Sequence, residues 1–573
     1  MINAALNVAA SALKTQQQAI DVISQNIANV NTPGYSRQTA VLGTATPEAQ
    51  GSFHFGRGVQ LADIQRAVDP FLNTAMNNNG NQQAWAQTLQ QGLNNVESVF
   101  GSLDSSSLSS SLDGFFQAYQ SLANNPQDAA QRNNVRNYGI DIATRLNLMR
   151  GQLVTAQNSA DQGIDARISS TNKLLDHIAE LNRQIVASEN SSGNASNDLR
   201  DQRDLAVSNL AKMMPIQVVN PNSSAFMVQS SGGDLLVQDG TAQHLARGGS
   251  GGTGFTGVVI AGTTKPVSGL ETGGEIGGLV TLRDSKLGNY ITKLDSLAAN
   301  LSFGMNQLHA SGAGLVLPSS ATSGQAAAAP ASALDAAAQN VPFAGQIVSG
   351  SFKVHVYDVA GVPQPAGGTT ISITAGTTTV NQLVTQLNAV TGISASLDAG
   401  NHIVVNAGTG SVGFSGDTSN VLAAYEIGAF FHGNDASNIG ISAAVKADAN
   451  SIAAGAIDAA TSLNNPGGNS VALQIIAFQN SATAFDGTAS SSVLERSSSV
   501  TMVYAGDVQS ATQQRTFRDA EALSLTGQRQ ALSGVNTDEE LVNMIKFQRA
   551  YEASAKVVQT SNQMLDSLLG LIR

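Results

Sequence analysis

Two matched apolar seams, one at each end of the chain, constrain the fold of this sequence more than any other feature. Ile2, Leu6, Ala9, Leu13, Gln16, Ile20, Ile23, Ile27 and Val30 recur at alternating intervals of four and three. That spacing keeps one stripe of a helix against a partner helix. Leu541, Met544, Gln548, Tyr551, Ala555, Val558, Asn562, Leu565 and Leu569 keep the same alternation at the other end. The first seam implies a helix about 45 Å long, at ~1.5 Å per residue. The two ends are predicted to lie together as one helical arm. Thr537 with Glu540 reads as a capping box, and Asp538 and Glu539 place negative charge where the helix dipole favours it.

The first seam stops abruptly in "NIANVNTPGYSRQ". Pro33 disfavours the α region for its predecessor and cannot continue a helix, and Gly34 supplies a positive φ for a turn. Beyond it "YSRQTAVL" reads as a strand. "GVQLADIQRAVDPFL" reads as a second strand, with Asp69 as N-cap and Pro70 at N1 of the next helix.

Trp85, Leu89, Leu93, Val96 and Phe100 stripe that helix, Leu108, Leu112, Phe115, Tyr119 and Leu122 stripe another, and one or two long helices are expected over 127–189. Residues 215–275 change to Val/Thr/Gly-rich alternation, a small β domain. Helix returns at "RDSKLGNYITKLDSLAANLSFGMNQLHASG", and "SSATSGQAAAAPASALDAAAQN" reads as an Ala/Ser linker. Residues 341–461 are mostly β with "VNQLVTQLNAV" as one inserted helix, and helix resumes after 465. The expected fold class is mainly α with inserted β domains: paired terminal coiled-coil helices, a long-helix bundle body and outer β-rich domains. The expected divisions are an arm (1–35 with 536–573), a helical body (36–214, 276–340 and 462–535), a small β domain (215–275) and an outer β-rich domain (341–461).

Charge and residue types exclude several functions. The net charge is −12 and charged residues make up only 12% of the chain, so neither nucleic acid nor an anionic membrane surface is an expected partner. No apolar run reaches the ~18 residues of a membrane span, and the N-terminus lacks the pattern of a Sec-type signal. There is no cysteine, which removes disulfides, thiolate metal sites and thiol nucleophiles. The seven histidines (54, 177, 244, 309, 355, 402 and 432) form no H-E-x-x-H pattern. His177 beside Asp176 reads as a solvated helix face. "GSGGTG" at 249–254 fits G-x-G-x-x-G, but a strand pattern follows where a phosphate site needs a helix N-terminus. In "NDLRDQRD", Asp198, Asp201 and Asp204 alternate with Arg200 and Arg203. An i, i+4 pair of Arg200 with Asp204 is expected there, in a self-neutralised surface or a contact that orients the helix. No catalytic, cofactor-binding or metal residues are nominated, and the protein is not expected to be an enzyme.

A seam diluted with Ala, Gln and Asn returns little hydrophobic free energy at roughly 25 cal/mol per Å2, while each ordered residue costs about 1–2 kcal/mol of backbone entropy. The arm is therefore expected to be marginal or disordered in a free monomer and to become stable when neighbouring copies or related proteins bury its remaining faces. Head-to-tail contacts of that kind build rings or tubes.

At both ends the residues resemble a known family. "SALKTQQQAIDVISQNIANVNTPGYSRQ" and "SGVNTDEELVNMIKFQRAYEASAKVVQTSNQMLDSLLGLI" are similar to the terminal signatures of the flagellar rod, hook and hook-associated axial proteins. "NDLRDQRDLAVSNLAKMM", "ETGGEIGGLVTLRDSKL" and "GGNSVALQIIAFQN" look like the members at the hook–filament junction. The resemblance implies a non-enzymatic adaptor at the distal end of the hook, exported through the flagellar type III channel without a cleaved signal. Its implied partners are the hook protein, a second junction protein, further copies in a ring or tube, and an export chaperone. The polymerisation arm would use Leu6, Leu13, Ile20, Ile23, Ile27, Leu541, Met544, Tyr551, Val558, Leu565 and Leu569. The arm–body turn would use Asn26, Asn29, Pro33, Gly34 and Tyr35, and the chaperone would contact Leu541, Ile545, Phe547, Val558 and Leu565. Flagellin or the second junction protein are alternatives in the same class. An adhesin, or a secreted hydrolase with activity in 345–460, is the alternative from another class.

Overall fold

The computed structural model describes residues 2–50, 53–100, 107–192, 195–221, 226–250 and 254–571. Helix α1 (Ile2–Ala28) forms over the first seam and ends ahead of Pro33. Gly34 turns the chain at φ +86°, the left-handed region open to glycine. Strand β1 (Gln38–Thr44) then pairs antiparallel with β4 (Val59–Arg66), and β2 (Glu48–Gln50) with β3 (Phe53–Phe55) makes a smaller pair at the hairpin's tip. Asp69 caps α2 (Pro70–Asn94) as expected, its Oδ1 accepting from Phe71 N at 2.8 Å.

Short α3 (Glu97–Phe100) and α4 (Leu108–Asn124) follow. The stretch read as one or two helices is a single one, α5 (Ala129–Ser192). Along it Val135, Ile142, Leu146, Leu153, Ile164, Leu175 and Ile178 are buried, while Tyr138 is exposed. Helix α6 (Asn197–Met213) leads into β5 (Ile216–Val219), β6 (Met227–Ser230), β7 (Leu235–Gln238) and β8 (Thr241–Ala242), a four-stranded antiparallel sheet. A β9 (Leu245–Ser250) and β10 (Thr256–Ile260) hairpin comes next. Its 251–253 connection, the centre of the G-x-G-x-x-G match, lies outside the described residues. Helix α7 (Gly274–Val280) passes through a wide π-type turn, Thr281–Leu287, into α8 (Gly288–His309).

Strand β11 (Ser320–Ala326) is followed by β12 (Gly350–Tyr357), β13 (Thr369–Ile373), α9 (Val380–Asn388), β14 (Ser394–Leu397), β15 (His402–Asn406) and β16 (Ser411–Ser415). These strands form two antiparallel sheets, ordered β13-β12-β16 and β11-β15-β14. The last helices are α10 (Val421–Ala424), α11 (Ala443–Ala447), α12 (Ser470–Phe478), α13 (Val493–Ser533) and α14 (Thr537–Leu571).

Backbone proximity divides the chain into two compact units, residues 1–92, 160–282 and 509–573, and residues 93–159 and 283–508. The segments grouped above as one helical body are shared between them. In the first unit, α5, α6 and the small sheets close over a core that includes Leu175, Ile178, Leu210, Phe226, Val228 and Ile276. In the second, α8, α9 and the two sheets close over Phe303, Phe352, Ile371, Leu383, Ile403 and Tyr425.

The Ala/Ser stretch is not a linker. Residues 320–326 are strand β11 against β15, and Ala327, Leu334 and Gln339 are buried. The Gln339 amide donates to Ala329 O and Ser332 O at 2.9 and 2.8 Å, and Leu334 N donates to Thr378 O. Side chains this small pack where the backbone itself is the surface in contact, and nothing in their hydropathy reveals that.

Candidate assembly site at the root of the terminal helices

Helices α1 and α14 pack against each other, and α1 also packs against the β1–β4 hairpin. Helix α1 therefore buries two stripes rather than one. On the predicted seam Ala9 and Ile23 are buried, Leu6, Leu13, Gln16, Ile20 and Ile27 are half-buried, and Val30 is exposed beyond the helix end. The second stripe, Thr15, Ala19, Val22 and Asn26, is fully buried. Its polar members are spent on the hairpin: Thr15 Oγ1 donates to Val59 O at 3.0 Å and Asn26 Nδ2 to Gln38 O at 2.8 Å.

On α14 the observed seam is rotated from the predicted one. Met544, Val558 and Leu565 are half-buried, but Leu541 and Tyr551 are exposed, at 49% and 39%, as are Gln548 and Asn562. The side chain of Leu569 lies outside the described residues. The inward stripe instead runs through Glu540, Phe547, Ser554 and Ser561, seven residues apart, with Glu540 and Ser561 fully buried. The expected capping box is also replaced. Asn536 is the cap, its Oδ1 accepting from Asp538 N at 3.1 Å, and Glu540 turns inward. A buried, hydrogen-bonded carboxylate in the first turn fixes the phase of the whole helix, against which a seam of mixed Leu, Gln and Ala has little preference.

Glu540 meets the arm–body turn there. Its Oε1 accepts from Arg37 Nε at 2.7 Å and its Oε2 from Asn26 Nδ2 at 3.3 Å, while Glu539 pairs with Arg37 at 3.2 Å. Asn26 is only 1% exposed and satisfies both ends of its amide, since Oδ1 also accepts from Tyr35 Oη at 2.8 Å and Gln38 N at 2.9 Å. One side chain thus joins α1, β1, the turn and α14. Burial beside Asp198, Asp201 and Glu540 pushes the Tyr35 phenol well above its usual range, so it remains a donor. Gly34 packs so that a Cβ would sit 3.2 Å from the Leu205 Cβ, and its carbonyl accepts from Arg529 at 3.3 Å. Asn29 donates back to Gln25 O at 3.0 Å, whereas Pro33 is exposed and acts only on the backbone.

The "NDLRDQRD" block is the receptor for this turn. Asp201 accepts from Ser36 N at 2.9 Å and from Arg66 at 2.7 Å, Asp204 accepts from Arg66 at 2.9 Å, and Asp198 accepts from Gln38 and Gln25 at 2.9 and 3.0 Å. The expected Arg200–Asp204 pair is absent: Arg200 grips Glu189 in a fork at 2.7 and 2.9 Å. Forked carboxylate geometry on a neighbouring segment outcompetes an exposed i, i+4 pair. Arg203 is buried over the Phe226 ring and donates to Asn182, and burial lowers its guanidinium to about 10. Burial lifts the Asp201 carboxyl despite the Ser36 N–H and Arg66. Burial would lower Arg66, but Asp204 and Asp201 outweigh it and hold its charge.

Arg37, Gln38, Arg66, Asp201 and Glu540 were not singled out as arm–body residues from the sequence. The three aspartates at i, i+3 and i+6 are a helix-face signal, but their partners are remote in the chain. We expect Asp201→Ala, which strands Ser36 N and half of the buried Arg66, to cost about 3 kcal/mol. Urea unfolding followed by Trp85, the single tryptophan, checks this, and an unchanged midpoint contradicts it.

Among the described residues no cluster of three or more His, Asp or Glu could hold a metal ion, and no helix is long and apolar enough to cross a membrane. His177 is exposed, and Asp176 pairs instead with His244 at 2.8 Å.

The terminal helices fold into one element whose flanking turn is held by α6, and comparison with known proteins assigns both ends to flagellar axial proteins. Residues 6–35 match the model described as "Flagella basal body rod protein" and 528–571 that of "Flagellar basal body rod FlgEFG protein C-terminal". Residues 93–321 match "Flagellar hook-associated protein FlgK helical domain", and 358–409 match "Flagellin hook IN motif". These matches, with the relatives below, indicate flagellar hook-associated protein 1, whose family is one of structural flagellar proteins. It is 26% identical to flagellar hook-associated protein 1 of Escherichia coli over 99% of both chains. It is 29% identical to that of Salmonella typhimurium over 54% of this chain, a match spanning 56% of the relative's length. The solved flagellar hook junction protein FlgK of Burkholderia pseudomallei superposes over 81% of this chain and all of its own, with 18% identity and a TM-score of 0.47.

Proposed function

We propose that this chain is a structural adaptor of the bacterial flagellum that assembles at the distal end of the hook and joins hook to filament. The observation that carries the reading is the arm: two terminal helices paired and clamped at one root, with a face of α14 left open. Leu541, Val542 and Ile545 are 49%, 66% and 51% exposed in its first two turns. Exposed apolar residues grouped on one helix need a partner. In a tubular assembly the next copies, the hook protein below and a second junction protein above would cover them.

The same helix supports an earlier partner. Leu541 and Ile545 are open, whereas Phe547, Val558 and Leu565 are half-buried on the inward side. An export chaperone holding all five would compete with α1. It would therefore act before the arm forms, releasing the chain for export through the type III channel to the growing tip.

Deleting the gene tests the junction role. The expected phenotype is intact hooks without filaments, with flagellin shed into the medium. Filaments of normal length would refute it.

A further inference from the structure

The second unit carries an apolar hollow of about 70 Å3, whereas a cavity of ~150 Å3 is the size that takes up benzene. It therefore has room for one small branched side chain and not for an aromatic ring. Leu317, Val412 and Phe414 line it, and so do Val316 and Ala444, which are exposed and set its mouth at the surface. Among the described residues its only polar lining side chains, His309 and Ser451, already have partners. His309 meets Gly428 O and Ala453 N, and Ser451 Oγ donates to Asp448 O at 2.6 Å. Nothing in the lining calls for a polar occupant.

The same unit holds a matching knob. Val359 is 80% exposed, the most of any large apolar side chain described in this unit. Its turn is fixed: Asp358 Oδ1 accepts from Ala360 N and Val362 N, each at 2.9 Å, Asp358 N donates to Val362 O at 3.0 Å, and Gly361 takes φ +78°. A side chain held out by a preorganised turn loses little freedom on docking. Val359 lies beyond Tyr357, the last residue of β12, while the hollow is lined from Val412 to Phe414, which pair with Val356 to Val354. Knob and hollow are thus separate places on one unit.

We propose that Val359 of one copy docks in the hollow of a second copy of the chain. The proposal rests on the assembly reading above and names where one copy meets the next. A knob and a hollow at different places make a head-to-tail contact, the kind that builds rings and tubes. Charge agrees. Asp358 flanks the knob and Lys446 follows Val445 of the lining, and neither has an ion-pair partner among the described residues. Asp448, close to Lys446 in sequence, is turned instead to Asn450 N at 2.9 Å.

The absence of cysteine makes the contact directly testable. Full-length Ala360→Cys and Ala443→Cys chains, both changed at exposed positions beside the knob and the hollow, are expressed together in a strain lacking the wild-type gene. Hook–filament particles are then isolated and treated with a short bismaleimide. A linked dimer of the chain is expected from the mixture and from neither variant alone. Adding Val359→Trp to the Ala360→Cys chain should abolish the dimer, because an indole exceeds the hollow. Adding Lys446→Glu to the Ala443→Cys chain should reduce the yield about fivefold. Particles that contain both variants without a dimer, or a dimer whose yield ignores Val359→Trp, overturn this inference alone. Absence of even the unmodified chain from such particles overturns the assembly reading, and this inference with it.

Discussion

Truncating Arg37 to alanine is expected to loosen the whole of α14 at its root. Glu540 is 2% exposed at the side chain and, among the described residues, takes its only cation from Arg37 at 2.7 Å. Removing that guanidinium leaves a buried carboxylate with the Asn26 amide alone, and breaking one partner of a buried pair costs about 3–5 kcal/mol. The first turn of α14 must then swing Glu540 outward, which abolishes the rotation that puts Phe547, Ser554 and Ser561 inward. Amide exchange across residues 540–565 should accelerate by about two to three decades, at ~1.4 kcal/mol per decade. The same variant should support few filaments. Exchange indistinguishable from the parent would show that the arm does not depend on this clamp.

Acid is expected to destabilise the second unit before it reaches the range of carboxylates. His309 donates or accepts at both ring nitrogens, to Gly428 O at 2.8 Å and from Ala453 N at 2.9 Å. Accepting from Ala453 requires the neutral ring, and burial pushes its pKa down to about 4. His355 sits between Ser462 and Ser415, each at 2.7 Å, and burial lowers it to about 4 as well. Both stay neutral in the fold while the unfolded chain protonates near pH 6.5, so the unfolded state binds more protons in between. Stability must then fall as pH drops from about 6.5 towards 4, by up to ~1.4 kcal/mol per pH unit for each ring. His432 works the other way. Its hydrogen bond to buried Glu426 raises its pKa, a contribution present at low pH and lost as pH rises through the raised value. Two rings outweigh one. Urea midpoints followed by circular dichroism at pH 7 and 5 should fall on acidification. A flat profile would mean that the buried imidazoles are not held neutral.

Much of the candidate site was visible as residue types and little of it as contacts. Asn26, Pro33, Gly34 and Tyr35 stand out because they end a helix and force a turn, effects that act within a few residues. Nothing local reveals that Asn26 reads β1 and α14 simultaneously, or that Asp201 waits for Ser36 N, since those partners lie far away in sequence. Flanking signals do not expose the role of Glu540 either. A Thr–x–x–Glu spacing predicts a cap, and only the presence of Arg37 at the same place makes the inward rotamer better.

The long helices, the inserted β regions, their order and the pairing of the two ends were decided by the sequence alone, because period, Pro and Gly act through the chain's own backbone. The tertiary structure decided the rotation of α14, the partners of Arg200 and Asp204, and the ordering of the Ala/Ser stretch. Each of those turns on which surfaces meet, and there one buried charge or one backbone hydrogen bond outweighs the slight preferences of a weakly apolar seam.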